Sequence, residues 1–364
     1  MSKFSSFLGF LSLLLFAALP AQAASYAYTV TYLGNFNPRG INASGQVIGY
    51  ISTSPDGGGH AALYSNGTLT DLGTLSGPNS GAYSHAYDIN DGGQVVGVSS
   101  AIDGKQHAFL YNNGTMNDLG TFDGNNSSAY SINASDQIVV TSWSITGGPR
   151  HAFLYNNGSL TDLGIISANY QVTGANGNAQ IIGNYSSTDG DQHGFLYSNG
   201  ALIDIGTLGG PTYTTAINAN GQIVGYSNSL NGGSHAFIYN NGVMTDINGN
   251  NQASVAYGIN DNGEVVGYAW TPETGGFASV YSNGTMSDLN TLIDPSLGLH
   301  FNDAWDINNS GQIIVRGAPR VGGSYRAYLL TPVPEPSTLI LLSFIGFSLF
   351  FYIKRRKGKC RVIN

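Results

Sequence analysis

Short runs of alternating apolar and polar residues, separated by glycine and asparagine, fill most of the chain. Four kinds of run recur in a fixed order: Ala-Tyr-x-Ile-Asn, Gln-Val-Val-Gly, His-Ala-Phe-Leu-Tyr and Thr-Met-x-Asp-Leu-Gly. Alternation over four to eight residues is typical of β-strands with one buried face. No segment between the two chain ends shows a sustained 3.6-residue apolar period. The pattern therefore predicts an all-β domain built from short strands.

An Ile-Asn-x-x-Gly-Gln block marks the repeat. Its asparagines follow one another at steps of 48, 43, 43, 42, 42 and 48 residues, and the fourth copy is degenerate. Four strands in a period of this length match one blade of a β-propeller, whereas leucine-rich solenoid coils are shorter. An Asn-Gly pair separates the last two strands, as expected for a type I′ hairpin in which both central residues have positive φ. The block asparagines are Asn42, Asn90, Asn133, Asn176, Asn218, Asn260 and Asn308.

The blocks at the two ends predict how the ring closes. The Ile-Asn and His-Ala-Phe blocks occur seven times, some in degraded form, but the block ending in Asp-Leu-Gly occurs only six times. The seventh repeat runs from Leu330 into Pro332 and therefore lacks a fourth strand, while residues 25–34 read as an extra strand before the first repeat. We therefore predict a seven-bladed β-propeller of four-stranded blades over residues 24–331. In this arrangement the N-terminal strand completes the last blade and leaves no open edge.

The N-terminal segment, residues 1–23, has the order of a secretory signal peptide. Lys3 precedes an apolar run over residues 7–19, and an Ala-Gln-Ala triplet ends at Ala23. A charged start, an apolar middle and small residues before the cut are the features of such signals, so cleavage is expected after Ala23. An uncleaved anchor helix is the alternative, although the apolar run is short for a membrane span.

The C-terminal segment, residues 332–364, resembles a PEP-CTERM sorting signal. A Pro-Glu-Pro motif is followed by an apolar run from Leu339 to Ile353, which predicts one transmembrane helix, and then by cations that hold this end in the cytoplasm. The resemblance implies a Gram-negative bacterium that makes extracellular polysaccharide, and cleavage by a membrane protease, an exosortase. A permanent anchor is the alternative. The motif is Pro334, Glu335 and Pro336, and the cations are Lys354, Arg355, Arg356 and Lys357.

The repeats resemble the HAF-repeat family of extracellular proteins, named after the His-Ala-Phe triplet. The sixth and seventh repeats lack the histidine. The resemblance covers residues 25–331 and implies export and a repeat architecture, without any particular activity. The histidines at this repeat position are His60, His107, His151, His193 and His235.

These repeated histidines do not have the spacing of a metal site. Equivalent positions of successive blades lie on separate sheets, about 10 Å apart or more, whereas metal ligands lie within about 2 Å of one ion. We therefore expect each histidine to have a structural role, bonded to the neighbouring blade. His85 and His300 stand outside the pattern, and the sequence identifies no partner for them.

The charge distribution argues against nucleic acid as a partner. Only 9% of residues are charged, and six basic against twenty acidic residues lie between the two end segments. Such a surface repels phosphate backbones. The single cysteine, Cys360, lies in the basic tail, so the exported domain has no disulfide and must be stabilised by packing.

Oxygen-bearing side chains at short spacing in the sequence make calcium a candidate cofactor. Asp189 and Asp191 flank a glycine, and Asp261 lies in an Asn-Asp-Asn-Gly-Glu run, which are spacings that calcium loops use. The same residue types are also what β-turns require, and this is the simpler interpretation. We identify no other cofactor-binding residues and expect no bound cofactor.

No catalytic residues stand out. The sequence has no Gly-x-Ser-x-Gly elbow, and between the end segments its only glutamates are Glu264 and Glu273. The many tyrosines and three tryptophans suit packing between blades or stacking on sugar rings.

We therefore expect a non-enzymatic protein of the cell surface or extracellular matrix, tethered to the inner membrane before it is cut. Its partners would be an exosortase and an extracellular polysaccharide or surface protein. A secreted hydrolase or lyase acting on that polysaccharide is the alternative, and carboxylates that converge at one mouth of the channel would favour it.

Overall fold

The computed structural model describes residues 26–333 apart from 53–57, 78–80, 123–124, 145–149, 167–169, 188–189, 231, 250–251 and 320–323. These residues form 28 β-strands, numbered here in chain order, and two short 3₁₀ helices, Leu289–Thr291 and Pro295–Leu297. Within this part of the chain the strands form seven four-stranded sheets. The predicted all-β propeller with seven blades is therefore confirmed.

The first six blades each use four consecutive strands. Blades 1 and 2 contain β2 (Asn37–Ile41), β3 (Val47–Ser52), β4 (Gly59–Ser65), β5 (Thr68–Asp71), β6 (Ser84–Ile89), β7 (Val95–Ser100), β8 (Gln106–Asn112) and β9 (Thr115–Gly120). Blades 3 and 4 contain β10 (Asn126–Ile132), β11 (Ile138–Trp143), β12 (Arg150–Asn156), β13 (Ser159–Ile166), β14 (Tyr170–Ala175), β15 (Ile181–Ser186), β16 (Gln192–Ser198) and β17 (Ala201–Asp204). Blades 5 and 6 contain β18 (Gly209–Ile217), β19 (Ile223–Ser229), β20 (Ser234–Asn240), β21 (Val243–Asp246), β22 (Ala253–Ile259), β23 (Val265–Thr271), β24 (Gly275–Ser282) and β25 (Thr285–Asp288).

Blade 7 combines strands from both ends of the described chain. Its first three strands are β26 (Leu299–Ile307), β27 (Ile313–Pro319) and β28 (Arg326–Pro332), and β1 (Tyr28–Gly34) pairs with β28 as the outer fourth strand. Leu33 of β1 is buried with Ile314 of blade 7 and Val47 of blade 1. The predicted closure of the ring by the N-terminal strand is therefore confirmed.

The Asn-Gly hairpins have the predicted geometry. Between β8 and β9, Asn113 and Gly114 have φ values of +51° and +82°. The turn sets the register of the hairpin, so that Tyr111 faces Met116. In the described chain all six Asn-Gly pairs between third and fourth strands have positive φ at both residues.

Apolar residues of adjacent blades form the core. Val95 of β7 packs with Ile48 of blade 1, whereas the next residue, Val96, packs with Val140 of blade 3. Successive side chains of a strand point to opposite faces. A strand buried on both faces therefore needs a continuous apolar pair, which explains the Val-Val of the repeat.

The predictions for the chain ends lie outside the described residues. This applies to the signal peptide with its cut after Ala23, the Pro334–Pro336 motif, the helix over 339–353 and the basic cluster over 354–357. Among the described residues no helix is long and apolar enough to span a membrane. Contacts divide the chain into two units, Met1–Thr331 and Pro332–Asn364, and the propeller lies in the first.

Candidate functional site

The first strand of each blade lies innermost, and the seven first strands surround a central channel. At one end of the channel the block asparagines tie each blade to the next. The side-chain amide of Asn218 donates to the carbonyl of Asn260 at 2.9 Å, and that of Asn308 donates back to Asn42 at 2.9 Å. In the described chain all seven asparagines donate to a backbone carbonyl of the next blade, at 2.9–3.3 Å. The Ile-Asn motif therefore closes the ring.

Each inner strand has a β-bulge three residues before its asparagine. Throughout the described structure the pairing register shifts at this point in every blade. A bulge leaves one residue unpaired and re-aims its side chain. The residues at this position are Arg39, Tyr87, Tyr130, Thr173, Thr215, Tyr257 and Trp305.

These re-aimed side chains form two stacks around the channel. The rings of Tyr87 and Tyr130 are nearly parallel, 5.2 Å apart, and the guanidinium of Arg39 lies 4.7 Å from the Tyr87 ring centre. On the other side, the rings of Tyr257 and Trp305 are 5.0 Å apart and also nearly parallel. Burial is the main cause that raises the pKa of Tyr87 and of Tyr257 to about 12. Both phenols are therefore neutral hydrogen-bonding groups at pH 7.

An ion pair lies beside the second stack. Arg316 donates to the carboxylate of Asp303 at 2.9 Å, and the two residues face each other on β27 and β26. The same guanidinium lies 5.4 Å from the ring centres of Trp305 and Tyr325. The charge of Arg316 is therefore neutralised within the blade.

Two aspartates follow the bulge in blades 2 and 7. Asp88 accepts hydrogen bonds from the N–H of Ile132 at 2.9 Å and the hydroxyl of Ser131 at 2.8 Å, both in blade 3. Asp306 accepts from the N–H of Ile41 in blade 1 at 3.0 Å. Desolvation raises the pKa of Asp88 to about 6 and that of Asp306, which also feels the charge of Asp88, to about 7. Both aspartates are half-buried as whole residues.

A pocket of about 590 Å³ opens between blades 1 and 2. It lies near the end of β3 that is far from the asparagine turn, and it reaches the inner strands. Three glycines, Gly58, Gly59 and Gly81, contribute to its wall. Its larger side chains come from both inner strands, from β3 and from the connection between the blades: Arg39, Tyr50, Tyr83, His85 and Tyr87.

His85 lies among the aromatic residues of this pocket. Its ring centre is 5.2 Å from that of Tyr50, edge to face, and 5.7 Å from that of Tyr83. Burial, and to a smaller extent the charge of Arg39, lower the pKa of His85 below its usual value. The imidazole is therefore neutral at pH 7 and can both donate and accept a hydrogen bond.

Four of the five repeated histidines bond within their own blade, so for these four the prediction of a bond to the neighbouring blade was wrong. Nδ1 of His107 lies 2.8 Å from the carboxylate of Asp118, which belongs to the adjacent strand β9. His60, His193 and His235 make the same contact with the aspartate eleven residues later, at 2.7–2.9 Å. A residue on the next strand of one sheet is simply nearer than the next sheet. His300 does bond across blades, to the carbonyl of Gly276 at 3.1 Å.

The calcium candidates do not converge. Asp261 accepts hydrogen bonds from the N–H of Ala219 at 2.9 Å and from the amide of Asn309 at 2.7 Å, so it ties neighbouring turns together. The carbonyl of Asp191 accepts from the N–H of Ser187 in a loop of blade 4, and Asp189 lies outside the described residues. Over the described ranges no group of three or more His, Cys, Asp or Glu side chains is placed to hold a metal ion.

Sequence reasoning did not identify the channel residues. A signal exists, because the position three residues before each block asparagine is aromatic in four of the seven repeats. In a regular strand that residue would simply continue the alternation of the inner strand. Only the bulge shows that Tyr87 stacks on Tyr130 around the channel.

Comparison with known proteins shows the fold and nothing finer. No family model and no curated protein sequence matches the chain. The structure resembles the β-propeller domain of the Trilobed protease from Pyrococcus furiosus, which has an open velcro topology (TM-score 0.53, 7% identity, 82% of this chain and 98% of that one). It also resembles Pyrococcus horikoshii acylaminoacyl peptidase (TM-score 0.53, 10% identity, 86% and 55%), so the chain spans about half of that peptidase. At such low identity the likeness establishes that this chain is a β-propeller.

Proposed function

We propose that the protein is an exported, non-enzymatic module that binds extracellular polysaccharide at the channel. The observation that carries this proposal is the pair of aromatic stacks, Tyr87–Tyr130 and Tyr257–Trp305, on inner strands of the ring. Aromatic faces with polar groups beside them suit pyranose rings, which have apolar C–H faces and hydroxyl edges.

The hydrogen bonds of the carboxylates support binding rather than catalysis. The repeat aspartates, such as Asp118, bond to histidines on outer strands. Asp303 is paired with Arg316, and Asp88 and Asp306 accept backbone hydrogen bonds from the next blade. These carboxylates therefore already have structural roles, within a blade for Asp118 and Asp303 and between blades for Asp88 and Asp306.

One observation favours the second candidate, a secreted hydrolase or lyase. Asp88 and Asp306 both follow the bulges of inner strands, and their pKa values are raised to about 6 and about 7. Two carboxyl groups with different pKa values are what acid–base cleavage of a glycosidic bond requires. The binding experiment therefore includes a measurement of cleavage.

Replacing Trp305 by alanine should weaken polysaccharide binding at least tenfold, because it removes one face of the second stack. The full-length chain, purified in detergent, is run through gels containing either neutral or acidic polysaccharides, and retardation gives the affinity. The matched control is Trp143→Ala, since Trp143 also lies against an arginine, 4.7 Å from Arg150, but ends β11 rather than lining the channel. Thermal melting of both variants checks that they are folded.

Retardation by at least one polysaccharide, lost in the Trp305 variant and kept in the Trp143 variant, would support the proposal. Equal loss in both variants, or no retardation by any polysaccharide, would overturn it. New reducing or unsaturated ends, produced by the wild-type chain and absent after Asp88→Asn or Asp306→Asn, would establish the second candidate instead.

We also propose that the protein is sorted by its C-terminal segment. The order of Pro-Glu-Pro, apolar run and basic cluster supports this proposal. Pro334 and Pro336 fix φ and remove backbone donors, so the chain before the apolar run suits an extended protease substrate.

Protein shed from cells that carry an exosortase should therefore end near residue 336 and lack Cys360. Intact-mass measurement decides this directly, and cells without the exosortase provide the control. Shed protein that still contains residues 354–357 would show that the tail is a permanent anchor.

A further inference from the structure

We propose that the pocket between blades 1 and 2 is a subsite for a carboxylated sugar, a uronic acid unit, whose carboxylate pairs with Arg39. This inference rests on the proposed polysaccharide binding and names the chemical class of the unit that is bound. Three features of the pocket carry it: an arginine without an acidic partner, a wall opened by glycines, and aromatic rings around a neutral histidine.

Arg39 has no ion pair with any carboxylate in the described part of the chain, although acidic residues outnumber basic ones in the protein. Arg316 and Lys105, in contrast, are paired with Asp303 and Asp103. The guanidinium of Arg39 is held over the Tyr87 ring at 4.7 Å. An arginine positioned in this way presents a fork of donors that matches a carboxylate.

Part of the pocket wall is formed by glycines, which place no side chain in it. The residue before the histidine position is Gly59 in blade 1, and it faces Ser52 across the strand pair. The equivalent residue in blade 2 is Gln106, which faces Ser100. A Cβ at Gly59 would lie 3.2 Å from the Tyr50 ring, so a side chain there would enter the space beside that ring. The resulting volume of about 590 Å³ lies in the range of small-ligand sites.

The remaining wall suits a sugar ring better than a simple anion. Tyr50 and Tyr83 lie around His85 at 5.2 and 5.7 Å, and they present apolar ring surface beside Arg39. His85, neutral at pH 7, can hydrogen-bond to a hydroxyl group. A phosphate would call for more cationic donors than this pocket contains, since Arg39 is its one cationic side chain among the described residues.

The test measures how strongly the full-length chain discriminates between charged and neutral forms of one sugar. Isothermal titration uses trisaccharides of galacturonate, glucuronate and mannuronate, each beside its methyl ester, which removes the charge and adds only one methyl group to each unit. We expect at least one acid to bind tenfold or more tightly than its ester, and Arg39→Gln to abolish this difference. The matched control is Arg150→Gln, because Arg150 also lies 4.7 Å from an aromatic ring but on blade 3.

A second variant tests the pocket without removing a charge. Gly59→Gln introduces the residue that blade 2 carries at this position and should abolish binding of the acid, with thermal melting as the check on folding. The proposal is overturned if acid and ester bind equally, if Arg39→Gln leaves the difference intact, or if inorganic phosphate competes better than the uronate. If neutral polysaccharide still bound in those cases, and this binding depended on Trp305, the proposed function would stand while the uronic acid subsite would not. If the wild-type chain bound no carbohydrate at all, both the subsite and the proposed function would be overturned.

Discussion

Replacing Gly97 by alanine should destabilise the propeller by about 3 kcal/mol or more, which is the upper range for overpacking a core. A Cβ at this position would lie 1.9 Å from the carbonyl oxygen of His85 on the paired inner strand and 2.9 Å from the Phe109 ring. The first neighbour is backbone, so the clash can be relieved only if strand β6 moves away from β7. Denaturant unfolding followed by circular dichroism measures the loss.

Gly177→Ala is the matched control. Gly177 is exposed, and its nearest neighbour for a new Cβ is the side chain of Asn133 at 3.4 Å, an ordinary contact. Blades 3 and 7 carry Val140 and Val315 where blade 2 has Gly97, so a blade can be built around a side chain there. If Gly97→Ala lowered the free energy of unfolding by less than about 1 kcal/mol, the inner strand of blade 2 would be shown to move aside for a side chain, and the prediction would be wrong.

Lowering the pH from 7.5 to 5 should stabilise the fold by about 4 kcal/mol through Asp88 and Asp306. Their folded pKa values, about 6 and about 7, lie above the unfolded value near 3.9. The folded chain therefore binds more protons than the unfolded chain between pH 4 and 7. The stability that these groups contribute is present at low pH and is lost as the pH rises through 6 and 7. Other groups act oppositely, because burial lowers the pKa of His85 and its contribution is lost as pH falls.

The prediction is therefore tested by comparing how the free energy of unfolding of each variant changes with pH. The free energy of unfolding is measured across this pH range for the wild type, for Asp88→Asn with Asp306→Asn, and for Asp261→Asn as a control at a half-buried aspartate outside the channel. We expect the double variant to lose the stabilisation at low pH while the control keeps it. Parallel curves for wild type and double variant would contradict the prediction, whatever the absolute stability of the variants, which also lose backbone hydrogen bonds.

The repeat pattern alone determined the architecture. Strand alternation and the Asn-Gly turns depend on neighbouring residues, so they can be read locally, and the count of blocks then requires β1 to complete blade 7. The cross-strand contact between His107 and Asp118 could also have been predicted from the sequence, because a hairpin register pairs residues at a predictable spacing.

The channel and its pocket, in contrast, were decided by the tertiary structure. Arg39 and Tyr87 are 48 residues apart in the sequence and meet because adjacent inner strands converge on one axis and both bulge at the same level. The bond from Ile41 to Asp306 joins residues 265 apart, and it forms only once the ring is closed. The sequence determined which strands form and how many blades they make. The angle between blades and the displacement of bulged residues determined which side chains meet, because both depend on packing across the whole ring.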